Sequence, residues 1–331
     1  MENDLEQKQM STSNHSRPST SNTSRTKALR DLLQSDTVEF LMGAHDGLSA
    51  KIVEGEGFRG IWGSGFSIAA AMGVRDCNEA SWTQVVETCE QMCDATRVPI
   101  LLDGDTGYGN FNNVMRLVRK CEQRGIAGIC LEDKLFPKTN SFINGTTQLL
   151  ASKEEFCGKI RAAKDTQTDE CFSVVARTEG FIVGQPLSDV LARADAYYEA
   201  GADAILVHSK SRTSDEVVAF AQAWDRPCPL VIVPTTYGST PSAVFEDAGI
   251  SVVIWANHTL RASVNAMREV SRRIYQDHSI ADIEQEVAPL ADVFQLQGVD
   301  ELLDAEIRYL PTVSTISQKQ APLKEFASHN D

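Results

Sequence analysis

Two hydrophobic patterns alternate along the chain: short apolar runs, and longer stretches in which apolar residues recur every three or four positions. Four of the short runs align without gaps when each is started at a glycine: GFRGIWGS from Gly57, GIAGICLE from Gly125, GADAILVH from Gly201 and GISVVIWA from Gly249. Each glycine follows a helical stretch. It therefore reads as the left-handed C-terminal cap of a helix, placed just before a short strand. A second set, FLMGAHDG from Phe40, ILLDGDTG from Ile100, VVARTEG from Val174 and VIVPTTYG from Val231, leads from an apolar triplet into turn chemistry. Stretches such as NNVMRLVRKCEQRG and LSDVLARADAYYEAG carry the helical period between them. Interleaving the two sets predicts eight strands separated by helices, an α/β fold of the (β/α)8 TIM-barrel type. An open doubly wound sheet accepts the same alternation but has no preference for eight. The stretch DIEQEVAPLADVFQLQGVDELL, after Tyr275, reads as extra C-terminal helices that pad the barrel or pack on a neighbouring subunit.

Composition adjusts this picture at the ends and narrows the partners. Residues 1–27, centred on STSNHSRPSTSNTSR, are too polar to bury anything and read as a disordered tail. The catalytic domain is expected over 28–311, and 312–331 reads as a loose tail. A net charge of -15 in 331 residues argues against nucleic acid or an anionic membrane surface as partner. No apolar run reaches the roughly eighteen residues of a span. MENDLEQKQM lacks a signal-peptide pattern, and Glu2, Asp4 and Glu6 count against a mitochondrial presequence, so a cytoplasmic location is expected. The eight cysteines include no C-x-x-C pair; Cys89 and Cys93 lie one helical turn apart but lack further ligands at metal spacing, and read as buried apolar side chains. The sequons at Asn14, Asn22, Asn144 and Asn257 carry no weight without secretion.

In such barrels chemistry sits at the C-terminal ends of the strands, where the alignment puts Ser64, Asp103, Glu132, Arg177 and His208. Asp103 and Asp105 follow the third strand, Glu132 and Asp133 end the fourth, and Asp76 follows the second in GVRDCNEAS. Taken singly, each acid is more readily a helix cap or a solvated loop residue. Converging at one mouth they would repel one another unless a cation lay among them, and an all-oxygen set favours Mg2+ or Mn2+. DGDTGYGN is not an EF-hand: Gly107 and Tyr108 stand where that loop needs a ligand and then glycine. Arg177 can take two oxygens of a phosphoryl or carboxylate group, although a salt bridge to Glu179 or Glu199 is the plainer reading. The amides of GSGFS, from Gly63, suit the same anion. EDKLFPKTNS, residues 132–141, is too charged for a simple turn and reads as a lid carrying Lys138 and Asn140 over the site, excluding water.

The segments GIWGSGFSIAAAMGVRDCNEASWTQVVE, PILLDGDTGYGNFNN, GICLEDKLFPKTNS and VVIWANHTLRAS, in that order, resemble the phosphoenolpyruvate phosphomutase family of the isocitrate lyase and phosphoenolpyruvate mutase superfamily. The likeness runs from about Val38 to Asp277. It implies a (β/α)8 barrel whose eighth helix is exchanged between subunits of a homo-oligomer, a dimer that pairs into a tetramer. It also implies that Asp103 ligates Mg2+ while Asp76, Asp105 and Glu132 hold its waters. Trp62 and Ser64 would line the substrate pocket, with the amides of Gly65 and Phe66 on a pyruvyl carboxylate. Arg177, His208 and Asn140 would address the phosphoryl end, and Lys138 would belong to the closing loop. Asp76 is the candidate to receive the phosphoryl group, unless transfer is metaphosphate-like. The implied reaction interconverts two small molecules, phosphoenolpyruvate and phosphonopyruvate, for phosphonate biosynthesis, with equilibrium towards the former.

Rivals differ in the loop. Phosphonopyruvate hydrolases look different there, with threonine where mutases have asparagine; that place is Asn140, with Thr139 beside it. Carbon–carbon lyases of the superfamily show KKCGH or KRCGH, whereas no cysteine lies between Lys134 and Leu150. A catalytically silent barrel would be expected to lack a motif acid, and none is missing. One departure is Gly104, where the family shows alanine in DADTGYG; a slightly looser turn is expected from it.

Overall fold

A computed structural model describes residues 24–143 and 147–310. The chain divides between Met267 and Arg268 into two compact units. In the first, β1 (Glu39–Ala44), β2 (Ile61–Gly63), β3 (Ile100–Asp103), β4 (Gly128–Glu132), β5 (Ser173–Thr178), β6 (Ala204–Val207), β7 (Leu230–Ile232) and β8 (Val252–Trp255) form a closed barrel in chain order. Every pairing is parallel, and β8 closes on β1 with Phe40 opposite Val253. All eight aligned runs are strands. The four glycines that framed the alignment, Gly57, Gly125, Gly201 and Gly249, have φ of 94°, 74°, 101° and 78°, the left-handed conformation that a cap requires.

Helices α2 (Gly47–Gly55), α3 (Gly65–Ala71), α4 (Trp82–Ala95), α5 (Phe111–Gln123), α6 (Lys153–Thr166), α7 (Leu187–Glu199), α8 (Asp215–Ala223) and α9 (Ser242–Asp247) lie between successive strands, and α10 (His258–Asp277) follows β8. The buried faces of α2 to α9 pack on the outside of the barrel in one apolar cluster that includes Cys89 and Cys93. These two thiols are core side chains, and burial pushes Cys93 up to about 11.

The expected boundary at residue 27 is corrected by α1 (Arg25–Leu33), which starts two residues earlier. Ser24 caps it by accepting from the Lys27 backbone N–H at 3.2 Å. Leu29, Leu32 and Leu33 of α1 join Leu41, Trp62, Leu101, Val175, Leu206 and Val231 in a second cluster inside the barrel. The helix seats at the N-terminal ends of the strands, where Gly60 and Gly128 leave it room: a Cβ on Gly128 would lie 2.7 Å from Leu29 Cδ2. Three buried leucines contribute roughly 1.5–3 kcal/mol each. Arg25 Nη2 adds hydrogen bonds to the carbonyls of Cys93, at 2.6 Å, and Thr96, at 2.5 Å. The rest of the expected tail, 1–23, and the whole of 312–331 lie outside the described residues.

In the second unit α11 (Leu290–Gln297) and α12 (Val299–Tyr309) meet at Gly298, whose φ of 74° makes the turn, and neither helix buries a residue. Among the described residues, no helix is long and apolar enough to cross a membrane.

Candidate active site

Charged and polar residues gather at the C-terminal ends of β3 to β6: Asp103 and Glu132 are the last residues of β3 and β4, Arg177 is the last but one of β5, and His208 follows β6. Asp103 is the last residue of β3, and the turn after it is tightly wound, with φ of 50° at Asp105, 81° at Gly107 and 54° at Tyr108. This left-handed path brings Asp105 back beside Asp103. Gly65, the first residue of α3, faces both: a Cβ there would lie 3.3 Å from an oxygen of each. Ser64 is the cap of α3, its hydroxyl oxygen accepting from the Ser67 N–H at 3.2 Å. Trp62 is buried in the interior cluster, while Phe66 is partly exposed.

One group is organised by Lys138, which is 6% exposed. Its Nζ lies 2.8 Å from Asp76 Oδ1 and pairs also with Asp105 Oδ1. Asn140 Nδ2 donates to Asp76 Oδ2 at 2.6 Å. Asn78, left-handed at φ 61°, joins the two sides: its amide donates to Asp105 Oδ2 at 2.7 Å, and its carbonyl oxygen accepts from the Lys138 backbone N–H at 2.7 Å. The loop after β4 is thus tied to the segment between α3 and α4 and to the turn after β3. Burial pushes Asp105 up to about 7, the Lys138 ammonium pulling against it and Asp103 adding to it. Burial likewise raises Asp103. Asp76 is lowered: burial opposes ionisation, but Lys138 and Asn140 outweigh it. The four surrounding acids hold Lys138 charged in spite of its burial.

The second group centres on Glu179, just past the end of β5 and wholly buried. Its Oε1 accepts from Arg177 Nε at 2.5 Å and lies 2.7 Å from His208 Nδ1. Its Oε2 accepts from the Ser141 hydroxyl at 2.7 Å and lies 3.2 Å from Lys134 Nζ. Arg177 Nη2 reaches Ser141 Oγ at 3.1 Å, His208 Nδ1 at 2.9 Å and Glu132 Oε2 at 3.5 Å. Phe142, beside Ser141, sets its ring edge-on to His208 with centroids 5.6 Å apart. Burial and the Arg177 charge leave His208 neutral at ordinary pH, Glu179 opposing.

Two sequence expectations are corrected. Asp133 does not join the acids at the mouth. Its carboxylate accepts from Tyr197 OH at 2.6 Å, the Glu179 N–H at 2.8 Å and Arg193 Nη1 at 3.3 Å, a structural anchor between β4 and α7. Successive strand residues point to opposite faces, so Glu132 and Asp133 cannot share one. Nor is the Gly104 turn loosened: the Ile129 side chain fills the place of an alanine methyl, 2.5 Å from the position of a Cβ, and the Gly104 N–H donates to the Cys130 carbonyl at 2.8 Å. The plain salt-bridge reading of Arg177 is half right, since Glu179 is its partner. Lys134 and Ser141 were not singled out at all, although both lie in the stretch already marked by its charge.

Among the described residues, no three Asp, Glu, His or Cys side chains converge tightly enough to hold a metal as they stand. The Lys138 ammonium lies among them instead. The donor set nevertheless fits a hard cation: all-oxygen, buried, with Glu132 Oε1 lacking any hydrogen-bond partner and Asp105 Oδ1 meeting only that ammonium.

The sequence matches the phosphoenolpyruvate phosphomutase family over residues 29–275. It is 57% identical over 290 residues to the phosphoenolpyruvate phosphomutase of Tetrahymena pyriformis, covering 88% of this chain and 97% of that one. The fold is similar to the crystal structure of phosphoenolpyruvate phosphomutase from Streptomyces platensis subsp. rosaceus, with a TM-score of 0.85, 45% identity, and coverage of 86% and 99%. It also resembles a phosphonopyruvate hydrolase solved in complex with oxalate and Mg++, with a TM-score of 0.83, 39% identity, and coverage of 87% and 100%.

Proposed function

The chain belongs to the phosphoenolpyruvate phosphomutase family, and on that premise we propose that it interconverts phosphoenolpyruvate and 3-phosphonopyruvate, an isomerase moving phosphorus between oxygen and carbon of one molecule. The observation that carries the reading is the placement of Asn140. Its amide holds Asp76, the candidate phosphoryl acceptor, while Thr139 supplies its backbone carbonyl to Lys134. The asparagine of the mutases, not the neighbouring threonine, therefore addresses the reacting carboxylate, which favours the mutase over the hydrolase.

In this reading Asp103 would ligate Mg2+, and Asp76, Asp105 and Glu132 would hold its waters; Mn2+ would suit the same oxygens. When bound there, the cation would supply positive charge beside the negative charge that develops on the pyruvyl oxygen. Trp62 and Ser64 line the substrate pocket, and the amides of Gly65 and Phe66 receive the pyruvyl carboxylate; the position of Gly65 beside Asp103 and Asp105 keeps those amides next to the proposed cation site. Arg177, His208 and Asn140 bind the phosphoryl group, and Lys138 covers the site from the loop after β4. Asp76 is suited to accept phosphorus because Lys138 and Asn140 keep it ionised where burial alone would not. A metaphosphate-like transfer uses the same groups without the adduct.

The assembly we propose is a homo-oligomer with the eighth helix exchanged between subunits. A groove of about 510 Å³ beside β1 and β8, lined by Phe40, Phe58 and Trp255, supports it. So do the exposed Leu290, Phe294, Leu302 and Ile307 of α11 and α12. Eight free cysteines agree with a cytoplasmic location.

Phosphorus NMR of the protein given phosphonopyruvate and Mg2+ tests the reaction. Growth of an enol-phosphate signal is expected; inorganic phosphate with pyruvate would replace the mutase by the hydrolase.

A further inference from the structure

We infer that Glu179 is a positioning residue that fixes both the direction of the Arg177 guanidinium and the tautomer of His208, with Ser141 completing the arrangement from the loop after β4. This rests on the proposed roles of Arg177 and His208 at the phosphoryl group.

A buried carboxylate beside a guanidinium is usually a plain ion pair, and its partner then keeps some freedom to rotate. Glu179 does more because each of its oxygens has two assigned neighbours. Oε1 faces Arg177 Nε and His208 Nδ1; Oε2 faces Ser141 Oγ and Lys134 Nζ. Two of these four, Arg177 and Lys134, are cations, which balances the buried negative charge and keeps it ionised. With Nε fixed by Oε1 and Nη2 by Ser141 Oγ at 3.1 Å, the plane of the Arg177 guanidinium is set by two separate contacts.

The tautomer follows from donors and acceptors. His208 Nδ1 has two close neighbours, Glu179 Oε1 at 2.7 Å and Arg177 Nη2 at 2.9 Å. A carboxylate only accepts, so the shorter contact requires a proton on Nδ1. Arg177 Nη2 does not need Nδ1 as an acceptor, since Ser141 Oγ at 3.1 Å and the Glu132 carboxylate at 3.5 Å are both available to it. The Nδ1–H form is therefore the consistent one, and Nε2 is the ring nitrogen left for a ligand. An unheld imidazole would sample both tautomers and lose that definition.

The consequence of replacing Glu179 by glutamine is specific. Lys134 donates towards Oε2, so the glutamine carbonyl must sit there and its NH2 at the Oε1 position. That NH2 would donate to Nδ1 and turn His208 into the Nε2–H form. It would also present a donor to Arg177 Nε.

The test is two-bond proton–nitrogen correlation NMR of the His208 ring in ligand-free protein, together with turnover. Parent protein is expected to show a protonated Nδ1; Glu179→Gln is expected to show the Nε2–H form with kcat lowered about 100-fold, the scale of losing a partner that orients a functional histidine. An Nε2–H ring in the parent, or an unchanged tautomer in Glu179→Gln, overturns the inference. Should Glu179→Gln fail to fold, the parent spectrum still decides the tautomer, and Ser141→Ala decides the rest. That variant is expected to keep the Nδ1–H form and lose about tenfold in kcat, restored by Ser141→Thr; parental turnover in Ser141→Ala overturns the role of Ser141. Failure of the parent to form phosphoenolpyruvate would sink the proposed reaction instead, leaving the ring signals to be read on their own.

Discussion

The two ends of this barrel are closed by opposite means. At the N-terminal end α1 lays Leu29, Leu32 and Leu33 onto the interior side chains, and the seal is apolar. At the C-terminal end the loop after β4 is held by charge, with Lys138 between Asp76 and Asp105, and Ser141 and Lys134 on Glu179. An apolar seal is non-directional and gains strength from area alone. A charged one gains only when each group finds its partner, and it can be exchanged for a ligand that offers the same charges. Stability is therefore concentrated at one end and chemistry at the other.

The sharpest way to break this division is Asp103→Ala. Turnover should fall about a thousandfold or more, as for loss of a central electrostatic group. The thermal midpoint should rise, because a carboxyl whose pKa is raised by burial weakens the folded state as it ionises. A fall in midpoint would show that the acid is structural. Leu33→Ala at the other end should do the reverse. It should cost about 3 kcal/mol in denaturant unfolding and leave kcat of the folded protein unchanged. Between the two lies Gly104→Ala, whose methyl would meet Ile129. A loss of about 2 kcal/mol is expected from overpacking, and it should largely vanish when the same change is made in an Ile129→Ala background, which removes both clashing atoms; additivity in that double mutant would refute the clash.

A smaller effect concerns pH. Asp105, pushed up to about 7, must lose its proton before it can serve a cation. Mg2+ affinity in calorimetry should rise by about tenfold per pH unit below that value and level off above it. The linkage for folding has the opposite sign: the metal-free protein gains stability from this group below the unfolded-state pKa and loses it as pH rises through about 7. The smallest effect is expected from removing residues 1–23, which should leave turnover and midpoint unchanged. Extending the deletion through Leu33 removes the apolar seal, and cooperative unfolding should be lost.

The barrel was legible because its signals are local. A left-handed glycine ahead of an apolar run announces four of the strands, an apolar triplet leading into turn residues announces the other four, and the position of a residue in its run announces the mouth. Helix α1 was hidden because its first turn, Arg25–Ala28, follows directly on a Ser/Thr-rich segment, and composition alone drew the line at residue 27. Its purpose depends on Gly60 and Gly128, about thirty and about a hundred residues away, leaving space for two leucines. Asp133 was misplaced by treating neighbours as companions, when strand alternation already separates them. Glu179 was noticed only as an ordinary counter-ion. Its four partners come from β5, the loop after β4 and the end of β6, and no spacing in the chain reveals such a meeting.

Ring closure also sets an order in time. The last pairing joins β1 to β8, and Thr259 Oγ1 donates to the Gly43 carbonyl at 2.7 Å across 216 residues of sequence. Gly43 lets the two ends come close: a Cβ there would lie 2.0 Å from the Ala256 carbonyl oxygen. During synthesis β1 is among the first strands to emerge, yet one of its edges stays unpaired until nearly all of the barrel has followed. The sheet must therefore carry an open edge until β8 has been made, and contacts of such long range make ring closure intrinsically slow.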